Sequence, residues 1–204
     1  MSALLTAIAA YLIGGFATGV LVSRYLLGRD VRDFGSGNPG AVNVWRVFGL
    51  RWGLMVVAVD VGKGYLAVAL LPMFAGANVW DGYPSFLGLL AVAGHIWSPF
   101  TGFRGGKGVG TVAGVALALY PYAAALAVTI WCLVALATKY SSVASLTAGW
   151  IFPLLVLSTN HVSNADLITV FLVPVILTWT HRDNLHRLRV GKELKIGRSE
   201  PLAE

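Results

Sequence analysis

The sequence predicts an all-α integral membrane protein, a bundle of seven transmembrane helices in which two helices are short. Two observations predict it. Hydrophobic residues fill 57% of the 204 positions and charged residues 12%, about half the roughly 25% typical of soluble domains. Fifteen basic and nine acidic side chains cannot clothe a soluble globule of this size. The apolar residues also fall in runs separated by short polar segments, the pattern of helices crossing a hydrocarbon core of about 30 Å. A disulfide scaffold is excluded because Cys132 is the only cysteine. The net charge of +6 is read through the positive-inside rule, not as affinity for nucleic acid.

Taken in order, residues 1–23 carry no charge, and Arg24 is the first basic residue. A secretory signal places its positive region before the apolar run, so this segment is expected to be a retained first span. Its Gly15-x-x-x-Gly19 reads as close helix packing. Residues 24–52 form a loop with five arginines and two aspartates, and residues 53–75 are a second span. Residues 76–84 hold no basic residue, and residues 85–100 are a third apolar run. Residues 101–110 are glycine-rich, with Arg104 and Lys107. The 28 residues 111–138 are uncharged and broken at Tyr120-Pro121, after which come residues 142–159 and 167–180. The tail from residue 181 holds six basic and four acidic residues.

Parity sets the topology. With the five-arginine loop in the cytoplasm, residues 76–84 fall outside and Arg104 and Lys107 return inside. Lys139 and the basic tail stay inside only if residues 111–138 cross twice, in two helices of about 14 residues, roughly 21 Å each. The expectation is therefore seven spans, amino terminus outside and carboxyl terminus cytoplasmic, in one domain covering residues 1–204. Five spans, with 111–138 only dipping in, is the alternative. No internal repeat is visible, which weakens a transporter built from inverted halves.

The polar chemistry lies in three cytoplasmic loops, residues 33–46, 101–111 and 181–193. In the first, Ser36, Asn38 and Asn43 supply neutral hydrogen-bonding groups beside a glycine-rich turn, and Arg46 supplies a guanidinium that can grip phosphate with two bonds. The second, Gly105-Gly-Lys-Gly-Val-Gly-Thr111, is not a nucleotide P-loop, because its spacing fails that pattern. It still combines Lys107, a helix start and mobile amides at Gly105, Gly106 and Gly108, which favours phosphate. In the third, His181 and Asn184 are three apart and share a helical face at the mouth of the last span. Arg187, Arg189 and Lys192 read as contacts to lipid head groups. Asp60 and Lys63, also three apart, read as a pair holding helices together inside the bundle. His95 is balanced between a site role and a bond to a neighbouring backbone.

These loops resemble a known family. Gly35-Ser-Gly-Asn-Pro-Gly-Ala-Val-Asn-Val-Trp-Arg46, Gly94-His-Ile-Trp-Ser-Pro-Phe-Thr-Gly-Phe-Arg-Gly-Gly-Lys-Gly-Val-Gly-Thr111 and His181-Arg-Asp-Asn-Leu-His-Arg-Leu188, continuing to Glu193, are similar to the motifs of the bacterial membrane glycerol-3-phosphate acyltransferases that use acyl phosphate, the PlsY family. Val42 and Gly110 depart from the family's usual threonine and alanine. The resemblance implies transfer of a fatty acyl group from acyl phosphate to the 1-hydroxyl of sn-glycerol 3-phosphate, the first step of phospholipid synthesis, in the bacterial inner membrane. It implies that Ser36, Arg46, Lys107, His181 and Asn184 bind glycerol 3-phosphate. Asn38, Asn43, Gly105, Gly106 and Gly108 would bind acyl phosphate. No metal, cofactor or nucleic acid is expected; membrane lipids are, and the sequence is compatible with a monomer. His181 is expected to donate a hydrogen bond to glycerol phosphate while a substrate phosphate takes the proton. The alternatives are an anion channel or transporter, and an acyltransferase using a thioester donor. His161-Val-Ser-Asn-Ala-Asp166 matches the His-x4-Asp motif of soluble-type glycerolipid acyltransferases, but is expected on the far side of the membrane and is set aside.

Overall fold

The computed structural model describes residues 2–76, 79–159 and 162–197, and over these the chain is all-α. The helices are α1 (Ala3–Gly15), α2 (Thr18–Leu21, continued by a π turn to Leu26), α3 (Ala41–Phe48), α4 (Leu50–Ala69), α5 (Tyr83–Ile96), α6 (Val109–Leu119), α7 (Pro121–Thr138), α8 (Ser141–Thr159), α9 (Asn164–Thr180) and α10 (Arg182–Arg189). Among the described residues, α4, α7 and α8 are each long and apolar enough to cross a membrane. The number reaches five if α1 with α2, and α9 with α10, each form one bent span. Large side chains such as Leu133, Leu136, Leu154 and Ile168 point outward and are more than 60% exposed, as expected where the solvent is lipid.

Pairs α1–α5, α4–α6 and α7–α8 make the most extensive helix contacts. Glycine makes the first two possible. A Cβ on Gly14 would lie 2.0 Å from the Ala91 carbonyl oxygen, and one on Gly94 2.0 Å from that of Tyr11. Across α4 and α6, Gly64 meets Thr111 O and Gly114 meets Val61 O just as closely. Each crossing is thus backbone on backbone from both sides.

The first apolar run is not one straight helix. It breaks after Gly15, and α1 and the α2 segment meet at 45°. The Gly15/Gly19 pair therefore does not form one helical face. Gly15 packs on the Pro99 ring and against Gly94 of α5, while Gly19 approaches the Pro39 carbonyl most closely. The break frees two carbonyls, a costly condition in a bundle without water. Ser98 Oγ donates to Gly15 O at 2.5 Å and Lys63 Nζ donates to Phe16 O at 2.9 Å. Asp60 balances Lys63 at 2.8 Å and accepts from Thr18 Oγ1 at 3.1 Å. His95 Nδ1 lies 2.8 Å from Lys63 Nζ. The intramembrane ion pair thus satisfies a broken helix and ties it to α5.

The uncharged run 111–138 divides at Tyr120, but unequally. α6 has 11 residues and α7 has 18, not two helices of about 14. Pro121 has no N–H to continue α6 and suits the first turn of a new helix, so the whole remainder goes to α7. Only one of the expected two helices is short.

Candidate active site

Chain direction brings three segments to one end of the bundle: the loop before α3, the loop before α6, and the joint between α9 and α10. The α7–α8 turn lies at the same end, where Ile196 N–H bonds Lys139 O at 2.8 Å and folds the tail across it.

Asn43, 3% exposed on α3, shapes the first loop. Its Oδ1 accepts from Ser36 N–H at 2.9 Å and from Arg46 Nη1 at 3.0 Å. Its Nδ2 donates to Val31 O at 3.2 Å and Phe34 O at 3.0 Å. Both donors and two acceptor positions are used, so although Asn43 lines the cavity, its amide is engaged by the protein and aims Arg46. Arg46, 4% exposed, also reaches Lys195 O at 3.3 Å. Asn38 Oδ1 closes a turn onto Gly40 N–H at 2.8 Å, which leaves its amide NH2 as the group suited to a ligand.

The glycine loop differs from expectation in the same way. Gly105 N–H donates to Ile96 O at 3.0 Å and Gly106 N–H to His95 O at 3.1 Å. Those amides close the last turn of α5 and are not a cradle for an anion. Gly106 is needed for another reason: a Cβ would sit 2.2 Å from His95 Nε2. Gly108, Val109 and Gly110 line the cavity where α6 begins, the turn whose amides lack intrahelical acceptors. Gly108 has φ +87°, a left-handed turn that suits glycine.

Lys107 extends from this loop and donates through Nζ to Asn184 Oδ1. Asn184 Nδ2 donates in turn to Glu193 Oε1 at 2.6 Å. Glu193 also accepts from Ser142 Oγ at 2.8 Å and from Arg187 Nε at 2.8 Å. Burial pushes the Glu193 carboxyl upward, and these bonds outweigh it and hold the group below its ordinary range. Burial lowers Lys107 to about 8, with Glu193 opposing the fall and the Arg187 charge adding to it.

His181 sits just past the end of α9, beyond the span, where α9 and α10 meet at 55°. Its Nδ1 lies 2.8 Å from the Leu177 carbonyl. A carbonyl can only accept, which assigns the ring proton to Nδ1 and leaves Nε2 an acceptor while the ring is neutral. Burial, followed by the Lys107 charge, lowers His181 to about 4. A neutral His181 therefore accepts at Nε2, the reverse of the donor role expected from sequence.

Ser36, Asn38, Asn43, Arg46, Lys107, Gly108, His181 and Asn184 all line one cavity of about 450 Å³. Arg187 and Glu193 line it too, and sequence reasoning gave neither a place there. The signal was present for Arg187: positions 181, 184 and 187 continue one face of a helix. From this mouth the cavity continues into an apolar slot between α6, α7, α8 and α9. His161 lies outside the described residues. Asp166, the other end of that motif, bonds Ser85 Oγ near the start of α9, at the end of the bundle opposite the mouth.

A buried arginine and a half-buried lysine at the mouth of an apolar slot, inside a helical bundle, define a membrane protein whose cavity is cationic at one end and apolar along its length. The comparisons place it more closely. The family model described as glycerol-3-phosphate acyltransferase matches residues 4–191. The chain is 41% identical over 189 residues to the glycerol-3-phosphate acyltransferase of Azotobacter vinelandii, covering 93% of this chain and 97% of that one. It is 37% identical over 193 residues to glycerol-3-phosphate acyltransferase 2 of Bacillus anthracis, with coverage of 95% and 98%. The crystal structure of PlsY, an integral membrane glycerol 3-phosphate acyltransferase, superposes in its glycerol 3-phosphate form with TM-score 0.87 at 34% identity. Its lysophosphatidic acid form gives 0.84 at 32%, and each match covers 96% of both chains. The chain belongs to the PlsY family of glycerol-3-phosphate acyltransferases and is a multi-pass integral membrane protein.

Proposed function

We propose that the protein transfers a fatty acyl group from acyl phosphate to the 1-hydroxyl of sn-glycerol 3-phosphate, giving lysophosphatidate and inorganic phosphate, the first step of phospholipid synthesis. The observation that carries this reading is the single cavity joining Arg46 and Lys107 to an apolar slot. Phosphates sit at the mouth and the fatty chain runs below. Relatives named for glycerol-3-phosphate acylation, and the PlsY forms with glycerol 3-phosphate and lysophosphatidic acid, support it.

Arg46, Lys107, Ser36 and Asn184 hold the phosphate of glycerol 3-phosphate, with charge-assisted bonds from the two cations. Gly108, the first turn of α6 and Asn38 receive the acyl phosphate, and Arg187 adds a third cation for a second dianion. The 2-hydroxyl donates to His181 Nε2, which turns the 1-hydroxyl oxygen toward the acyl carbon and leaves the 1-hydroxyl proton facing a phosphate. The oxygen bonds to that carbon, the carbon–oxygen bond to phosphate breaks, and inorganic phosphate leaves. A group near pKa 4 is a poor proton acceptor at neutral pH. The hydroxyl proton passes instead to a substrate phosphate, whose second pKa near 6 by analogy with phosphoserine suits it.

Counting α1 with α2, α4, α5, α6, α7, α8 and α9 as one span each gives seven, with the amino terminus outside and the mouth facing the cytoplasm of the bacterial plasma membrane. The short α6 then requires locally thinned bilayer or shelter by its neighbours. A transporter with the same mouth is the reading to exclude. Purified protein in lipid vesicles, given labelled glycerol 3-phosphate and palmitoyl phosphate, is expected to form labelled lysophosphatidate. Accumulation of unchanged glycerol 3-phosphate inside the vesicles, with no lipid product, would overturn the proposal.

A further inference from the structure

The wall of the cavity changes with depth. Small residues widen it below the mouth: Ala113 and Ala116 on α6, Ala124 on α7, Ala148 and Gly149 on α8. The space is tightly framed even so, since a Cβ on Gly149 would lie 2.9 Å from Leu177 Cδ1. Ser145 is a polar group in this wall, and it is engaged by Trp131 Nε1 at 3.0 Å. Phe152 follows Gly149 by three residues on the same face of α8 and is the largest of the α8 residues lining the cavity and the farthest along that helix from Ser141. It is 7% exposed, and its ring packs edge-on against Tyr120 with centroids 6.4 Å apart. Val156 and Val170, at 0% and 1% exposed, close the bundle behind the two rings. From Ser141 beside the mouth to Phe152 the helix rises roughly 16 Å.

We infer that Phe152, backed by Tyr120, is the chain-length stop of the acyl site. The methyl end of the fatty chain lodges against the Phe152 ring, and chains too long for the slot bind with their excess methylenes displaced toward the mouth. This rests on the acyl-transfer reading above. The occupant follows from the walls: a slot with apolar sides, opening onto Arg46 and Lys107, fits an unbranched hydrocarbon chain with a phosphate at its head. Each methylene that finds room gains roughly fourfold in affinity, and one that does not gains nothing.

The test uses two readouts on the purified protein in nanodiscs. One is binding of unreactive alkyl phosphates from dodecyl to eicosyl. The other is kcat/KM for saturated acyl phosphates of matching lengths. In the wild type, affinity rises with length to a break and then levels or falls. Phe152→Ala is expected to move the break at least two carbons longer, with KM for glycerol 3-phosphate unchanged. Ala116→Leu narrows the slot from the opposite wall and is expected to move the break shorter. Leu154→Ala, on the lipid-facing side of α8, should leave it in place. A break at the same length in the wild type, Phe152→Ala and Ala116→Leu would overturn the stop, because the chain would then leave sideways into lipid. A break that moves in the binding series while no acyl phosphate is turned over supports the stop and sinks the acyl-transfer reading instead.

Discussion

Lys107 and Asn184, 77 residues apart, are joined by a hydrogen bond from the lysine ammonium to the amide oxygen. The orientation is not left to chance. Asn184 gives one of its two amide N–H groups to Glu193, which turns its oxygen toward Lys107 and leaves the second N–H for a ligand. Glu193 is fixed by Ser142 and Arg187, and a phosphate arriving at Lys107 meets a cation whose position is set by three segments.

Removal of the buried Arg46 or the half-buried Lys107 is expected to be costly. Charge-assisted bonds are worth about 1.5–3 kcal/mol each, so Arg46→Ala or Lys107→Met should raise KM for glycerol 3-phosphate tenfold or more. Arg46→Lys should not restore activity, since an ammonium cannot replace a fork that reaches Asn43 and Lys195 together. Arg189→Ala, at an exposed position, should change KM little. Steady-state kinetics on the four variants decides the matter, and a fully active Arg46→Lys would count against the bidentate role.

The pH dependence follows from Lys107. Its pKa, lowered by burial to about 8, means that the cation is present below that pH and lost above it. Since only the cation holds phosphate, kcat/KM for glycerol 3-phosphate should fall as pH rises through about 8. Lys107→Arg, whose charge persists past pH 12, should remove that basic limb even if overall activity drops. An unchanged limb in this variant would assign the titration elsewhere.

Asn43 should behave as a structural residue. Asn43→Ala strands the Ser36 amide and leaves the Val31 and Phe34 carbonyls with one backbone bond each; an unsatisfied buried group costs about 1–3 kcal/mol. The expected result is a lowered Tm together with weakened glycerol phosphate binding, through loss of Arg46 placement. Thermal unfolding in detergent measures the first. A normal Tm with a KM defect for acyl phosphate alone would restore Asn43 to the ligands.

His181 tests the fate of the proton. His181→Gln can still present an acceptor, so it should raise KM while keeping measurable turnover at saturating glycerol 3-phosphate. A general base contributes typically 10²–10⁴-fold. A loss of kcat on that scale with normal binding would make His181 the base.

Much of this was legible in the chain. Composition and apolar runs foretold an all-α membrane protein, and charge beside glycine marked the loops that meet at the mouth. The misreadings share a physical cause. Sequence shows which groups can bind a ligand, but not which are already bonded. Asn43, Gly105 and Gly106 have the right chemistry, yet the Arg46 guanidinium and the carbonyls of Val31, Phe34, His95 and Ile96 already engage them. The tautomer of His181 depends on the Leu177 carbonyl one turn back, which spacing alone does not show. The break at Phe16 was invisible because no proline or charge marks it; its only trace was Lys63, a cation with no other reason to lie in an apolar run.

The donor is the central claim, and one parallel assay tests it most directly. Purified protein in nanodiscs receives labelled glycerol 3-phosphate with palmitoyl phosphate, palmitoyl-coenzyme A or palmitoyl-acyl carrier protein, and lysophosphatidate is quantified from each. A slot that ends in a compact mouth of Arg46, Lys107 and the start of α6 fits a phosphate leaving group. Product is therefore expected from palmitoyl phosphate, with release of one inorganic phosphate per lipid, and none above background from either thioester. Equal or faster turnover with a thioester donor would contradict the account.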